Sequence, residues 1–386
     1  MSDKIITLKS PNLILAGFGA LEKMGEEAKN LDVKRALLVT DAGIIESGIG
    51  GKVEAILKEN GVAVDIYGDV QSDPDIACCE ACIEKAKDGA YDLIVGVGGG
   101  SPMDIASITS LMCKNAGTVH EYFGINLLKN PGIPTFLVAT TAGTGAEVTP
   151  NAILTDPEEK LKKAIVSPYV LPGAAIVDPS LTLSMPPRVT SFTGMDALTH
   201  AIESYTSMNA TPLTDIYARE AICMIGRSLR TAVAKGEKPE ARYDMSIGSL
   251  YAGISLANAG VGAVHALAYP LGGEFNVPHG IANGLLLPHV MEFNVLGDIP
   301  KFADIAELLG EEVEGLTLIE RARLSVEAVK DLMADIDMPS SLSELDIPSE
   351  AIPRLAGAAI NVTRLLGNNP RNVTVEDATG IFEKAL

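Results

Sequence analysis

Five short segments of the chain are apolar almost throughout: ALLVT (36–40), VAVDIYG (62–68), DLIVGVG (92–98), TFLVAT (135–140) and AAIVD (174–178). Between them the pattern switches to helical spacing, as around KVEAILKEN (52–60). Asp73-Pro74 supplies an N-cap and first-turn signal for a helix reaching about Asp88, and Ser101-Pro102 opens another. Strands that are apolar on both faces and separated by helices predict a parallel sheet covered on both sides. Ligands of such sheets sit at the carboxyl ends of the strands. Beyond Pro186-Pro187 the texture changes to helical periodicity without convincing strands, over 191–209, 212–235, 240–257, 260–272, 281–294, 300–309 and 316–336. The expected organisation is therefore α/β plus all-α, with a sheet domain over 1–185 and a helical domain over 186–386.

Composition agrees with two buried cores. The chain has 386 residues, too many for one typical core, and 47% of them are hydrophobic. Aromatics are only 4% with no Trp, so the cores must be built from aliphatic side chains and Met. Thirty basic against 50 acidic residues, a net charge of −20, argue against nucleic acid or an anionic membrane as partner. No run is long and apolar enough to span a bilayer, and MSDKIITLKS lacks the apolar stretch of a secretory leader. Five cysteines make no disulfide framework, and the Cys79-x-x-Cys82 pair has no second pair to complete a zinc site. With Cys78 they read as structural thiols on a helix, which suits a reducing, cytoplasmic location.

Chemistry enters at the strand ends. In residues 92–104 a strand runs into Gly98, Gly99 and Gly100 and then a helix, with Ser101 placed as N-cap and Pro102 at the first helical position. Bare backbone N–H groups at a helix N-terminus suit a diphosphate. The spacing is not the usual dinucleotide fingerprint, and no acidic residue follows about twenty positions later. The candidate acid is Asp41, which ends the first strand and could accept bonds from ribose hydroxyls; alone, it could equally be a turn or cap residue. A second loop, with Thr140, Thr141 and Thr144 among glycines, follows the strand at 135–140.

In the helical half, Asp196 and His200 stand at i and i+4, on one helix face. His265 and His279 follow in glycine-rich contexts, and only His120 and His289 of the five histidines lie outside these motifs. One carboxylate and three imidazoles suit Fe²⁺, Zn²⁺ or similar ions without choosing between them, and spacing alone also permits a chance grouping.

The motifs GVGGGSPMD (96–104), TTAGTGAEVT (140–149), GMDALTHAIESY (194–205), HALAYPLGG (265–273) and VPHGIANGLLLPHV (277–290) together resemble the iron-containing alcohol dehydrogenase family, over nearly the whole chain. The resemblance implies an N-terminal Rossmann-like domain and a C-terminal helical domain of the dehydroquinate synthase-like kind with a cleft between them, the cofactor lying across the sheet and the metal held by the helical domain. It implies a homo-oligomer. The implied metal ligands are Asp196, His200, His265 and His279; the implied cofactor contacts are Gly98 to Pro102, Thr140 to Thr144, and Lys162, with Lys163 as the neighbouring alternative. Members with Asp at the position of Asp41 prefer NAD. The implied reaction moves a hydride between a small alcohol, diol or hydroxyacid and NAD, with the substrate oxygen bound to divalent iron, or zinc in its place. Two other activities share this architecture: a metal- and NAD-dependent lyase of the dehydroquinate-synthase type, which needs a basic pocket, and a hydroxyacid–oxoacid transhydrogenase. Two departures stand out. Tyr269 occupies a position where many members carry a proton-relaying His, either as the relay or as packing, and Asp73 stands where many carry Asn.

Overall fold

The computed structural model describes residues 5–157 and 161–386, which form two compact units. One is Lys9–Ser184; the other is Met185–Leu386 together with residues 5–8.

The first unit is α/β. Its strands are β1 (Leu13–Ala16), β2 (Arg35–Val39), β3 (Ala63–Tyr67), β4 (Leu93–Gly98), β5 (Gly124–Ile125), β6 (Thr135–Ala139), β7 (Asn151–Asp156), β8 (Leu161–Val166) and β9 (Ala174–Val177). Its helices are α1 (Ala20–Asn30), α2 (Ala42–Glu46), α3 (Ile49–Glu59), α4 (Ile76–Gly89) and α5 (Gly100–Met112). Six strands form one parallel sheet in the order β1-β9-β6-β4-β2-β3, while β5, β8 and β7 make a small second sheet. Strands β4, β6 and β9 are buried at every position, which is why they read as unbroken apolar runs. Leu38, Val95, Phe136, Val138 and Ile176 pack with Leu21 and Met24 of α1 into one core cluster.

Two caps differ from the sequence expectation. Helix α4 is capped by Asp75, whose Oδ1 accepts from the Cys78 N–H at 2.8 Å, rather than by Asp73. Asp73 instead has φ +49, a left-handed turn conformation that Asp tolerates. Helix α5 starts at Gly100 with Gly99 as N-cap, so Ser101 and Pro102 lie inside the first turn. Gly98, at φ +151, turns the chain early, and Pro102 fits there because the first N–H groups of a helix have no internal partner. Cys78, Cys79 and Cys82 are buried thiols on α4.

The second unit is helical: α6 (Pro187–Thr206), α7 (Pro212–Ala234), α8 (Pro239–Ala259), α9 (Ala263–Phe275), α10 (His279–Asn294), α11 (Ile299–Leu308), α12 (Leu318–Asp335), α13 (Ile352–Ala359), α14 (Thr363–Leu366) and α15 (Val375–Lys384). Helix α6 packs against α7, α8 and α10 and is buried on nearly all sides, so it forms the axis of this unit. No single helix among the described residues is long and apolar enough to cross a membrane.

Buried Arg242 of α8 anchors the start of α6. It donates to the Met185 carbonyl at 3.0 Å, to Thr190 Oγ1 at 2.8 Å and to the Gly236 carbonyl at 2.7 Å. Arg242→Ala would strand these acceptors and leave a cavity. It is expected to cost about 3 kcal/mol, on the order of 6–12 °C in melting temperature for a unit this size. A melting curve superimposable on wild type would remove the anchor role.

Candidate metal centre and cofactor loops

In the α/β unit, neighbouring β4 and β6 deliver two loops to one edge of the sheet. The Thr140 N–H donates to the Gly98 carbonyl at 3.0 Å. A Cβ added to Gly99 would stand 3.5 Å from Thr141 Oγ1, and one added to Gly100 would stand 3.2 Å from Thr144 Cγ2. The glycine loop and the threonine loop, 40 residues apart in sequence, thus form one rim over the N-terminus of α5. Thr40 ties the end of β2 to the same edge by donating its hydroxyl to the Val97 carbonyl at 2.8 Å. The next residue, Asp41, caps α2: its Oδ1 accepts from the Ile44 N–H at 2.9 Å. The carboxylate's second oxygen takes no hydrogen bond among the described residues, so capping and ribose binding are compatible.

Lys162 and Lys163 point to opposite faces of β8, as successive strand residues must. Lys162 Nζ lies 2.5 Å from Asp73 Oδ1, so these two sequence-flagged positions are one ion pair; Lys163 pairs with Asp156 at 2.8 Å. Two carboxyls, Asp104 of α5 and the buried Glu147, stand beside these loops. Burial pushes Asp104 of α5 up to about 8, against the opposing Ile153 N–H and Lys162 ammonium. Burial likewise pushes Glu147, in the threonine loop, up to about 7.

In the helical unit, one candidate ligand atom from each of Asp196, His200, His265 and His279 lies within 4.8 Å of every other. Asp196 and His200 share the inner face of α6, His265 is in the first turn of α9, and His279 is the first residue of α10. The His200 and His265 rings stack at 4.8 Å, and His265 meets His279 edge-on at 5.2 Å. Close helix approach makes this possible. A Cβ on Gly280 would stand 2.4 Å from the Phe192 carbonyl oxygen, so α10 lies this close to the α6 backbone only with glycine there; at Gly284 a Cβ would be a tight 3.2 Å from Met195 Cβ.

Asp196, His200 and His265 are buried, and the His279 side chain is 30% exposed. Burial would raise the Asp196 carboxyl, but the imidazoles of His200, His279 and His265 and the Asn283 amide outweigh it and hold the carboxyl at about 2. The site therefore carries an ionised carboxylate and three imidazoles in a dry setting, the donor chemistry of a divalent transition metal. Asn283 reports the same excess of acceptors. Its Nδ2 lies 2.7 Å from Asp196 Oδ1, 3.0 Å from His279 Nε2 and 3.1 Å from His265 Nε2, while its buried Oδ1 has no hydrogen-bond partner among the described residues. The residues present fit a bound cation.

Glu203 and Asn283 were not singled out from the sequence. For Glu203 a signal exists, because positions 196, 200 and 203 repeat the helical i, i+4, i+7 spacing. Asn283 follows His279 by four residues on the same helix face.

Residues 11–179 match the family model for iron-containing alcohol dehydrogenase, and residues 190–386 match the C-terminal model of the Fe-containing alcohol dehydrogenase family. This chain belongs to the iron-containing alcohol dehydrogenase family. It is 41% identical to long-chain-alcohol dehydrogenase 1 of Geobacillus thermodenitrificans over 379 residues, 97% of this chain and 95% of that one. It is 40% identical to the 1,3-propanediol dehydrogenase of Citrobacter freundii over the full length of both chains. The crystal structure of a 1,3-propanediol oxidoreductase superimposes with a TM-score of 0.97 at 39% identity, covering 99% of this chain and 100% of that one.

As a member of the iron-containing alcohol dehydrogenase family the protein is an oxidoreductase, and its fold is the family's parallel sheet followed by a helical part. Tyr269 lies on α9 one turn beyond His265, with its ring centroid 6.4 Å from that of His279. It packs beside Leu256, Val362 and Leu366 against a cluster of Val261, Ala266 and Leu365. Burial raises its phenol above the ordinary range, although Arg364 opposes this.

Proposed function

We propose that this protein is an NAD-linked dehydrogenase that interconverts a small alcohol and its aldehyde or ketone, using a divalent iron held by Asp196, His200, His265 and His279. The convergence of these four side chains within 4.8 Å carries the reading. Bound iron would supply a Lewis acid for the substrate oxygen, and bound NAD a hydride acceptor or donor. The chain's own residues do the positioning. Asp196 provides the one anionic ligand, and the three imidazoles complete the set. Gly98, Gly99 and Gly100, with Ser101 and Pro102, offer the cofactor diphosphate a bare backbone and the positive end of α5. Thr140, Thr141 and Thr144 line that rim with hydroxyls, Lys162 offers an ammonium, and Asp41 accepts from ribose hydroxyls at the end of β2. The apolar packing around Tyr269 and α9 keeps water from the ligand helix.

The relatives, a long-chain-alcohol dehydrogenase and a 1,3-propanediol dehydrogenase, support an alcohol or diol as the substrate class. The test is a panel of alcohols, diols and aldehydes against anaerobically iron-loaded protein, with NAD(H) and NADP(H), followed by nicotinamide absorbance. Silence across the panel with iron demonstrably bound would defeat the proposal.

Tyr269 is proposed as a packing residue. Tyr269→Phe should keep kcat within a few-fold and leave its pH profile in place. A relay role would instead cost about 10²-fold or more, and a loss of that size in kcat against pH would return Tyr269 to the catalytic list.

A further inference from the structure

Helix α9 follows Gly262, which has no side chain with which to cap it. Its first turn is capped from elsewhere in the fold. Asn369 Oδ1 accepts from the Ala263 N–H at 3.3 Å, and Glu203 Oε1 accepts from the Val264 N–H at 2.7 Å. A carboxylate at a helix N-terminus is favourable against the helix dipole. The second oxygen of the same carboxylate, Oε2, lies 2.5 Å from Nδ1 of His265, the next residue of that turn. Both side chains are buried, Glu203 at 7% and His265 at 3% exposure.

We infer that Glu203 is a positioning residue that holds His265 in its Nδ1–H tautomer and so presents Nε2 as the ligand atom. A carboxylate can only accept, so a contact to Nδ1 requires the imidazole proton to sit there. Nε2 then keeps its lone pair and faces the other ligands, 3.1 Å from the Asn283 amide that also touches Asp196 and His279. One buried side chain thus fixes both the start of α9 and the ring orientation of a ligand on it. A carboxylate behind a ligating imidazole also raises its basicity. The inference rests on the proposed metal-ligand set.

Glu203→Gln is the discriminating variant, because it keeps the shape and reverses one hydrogen bond. The glutamine carbonyl oxygen can still accept from the Val264 N–H, which leaves its NH₂ group facing His265 Nδ1. Nδ1 must then accept, and the ring proton moves to Nε2, where it blocks ligation. The expected result is a near wild-type melting temperature with metal affinity, measured by chelator competition with Fe²⁺ or Co²⁺, lower by about 10- to 100-fold. The second readout needs no variant to fold: ¹⁵N-histidine spectra of the full-length metal-free wild type should show His265 protonated at Nδ1. Wild-type metal affinity in Glu203→Gln, or an Nε2–H tautomer in the wild type, overturns the inference. A wild type that shows the Nδ1–H tautomer but takes up no metal supports the positioning and defeats the ligand assignment instead.

Discussion

His265→Ala is expected to lose bound metal and activity together. The four candidate ligand atoms lie within 4.8 Å of one another, and each imidazole supplies one of the four. His265 is central to the group, stacked on His200 and edge-on to His279. Its removal leaves three ligands and also leaves Glu203 Oε2 without the partner it has at 2.5 Å. Asp196→Ala should be at least as damaging, because it removes the one anionic member of the ligand set. The measurement is elemental analysis of purified, anaerobically reconstituted variants beside their turnover rates, with a circular dichroism melt to verify folding. Wild-type metal content in His265→Ala would falsify the ligand assignment. Metal loss with normal melting and no turnover is the pattern the geometry predicts.

Wild-type protein should prefer NAD to NADP, and Asp41→Gly should narrow that gap. Asp41 ends β2 beside the glycine rim, with Oδ1 used to cap α2 and the other oxygen left for a ribose. A 2′-phosphate there would face a fixed carboxylate, a like-charge penalty on the order of 1–3 kcal/mol, or roughly ten- to hundredfold. The substitution is a clean one, since glycine is itself an acceptable N-cap and should lower stability by only a few tenths of a kcal/mol. The check is kcat/KM for each cofactor in wild type and variant. Equal values for NAD and NADP in the wild type would sink the role given to Asp41.

The strands read from the sequence were those with the strongest local signal. β2, β4, β6 and β9 are buried or nearly so and carry apolar runs, while the edge strand β3 is partly exposed and its run is broken by Asp65. The four-residue edge strand β1 and the pair β7–β8 escaped, because a short edge strand has little pattern and the residues NAILTD of β7 do not alternate apolar and polar although their burial does. The short helices α13 and α14 escaped for the same reason of length. Asp73-Pro74 gave a helix-start signal two residues early: Asp75 offers the same cap chemistry, and only the left-handed turn at Asp73 decides between them.

Periodicity acts over a few residues, so sequence alone shows the more strongly patterned strands and helices, the change from sheet to helices after the 185–187 stretch, and the shared face of Asp196 and His200. It also marked the glycine and threonine loops as strand-end features. What it left to tertiary structure is every meeting of distant segments. His265 lies 65 residues after His200, and His279 another 14 beyond, and nothing local brings them together. They meet because Gly280 lets α10 close on the α6 backbone, and because Glu203 caps α9 while holding His265. The same holds for Gly98 against Thr140 and for Asp73 against Lys162. Such contacts depend on how whole elements pack, a sum over many side chains that no single motif encodes.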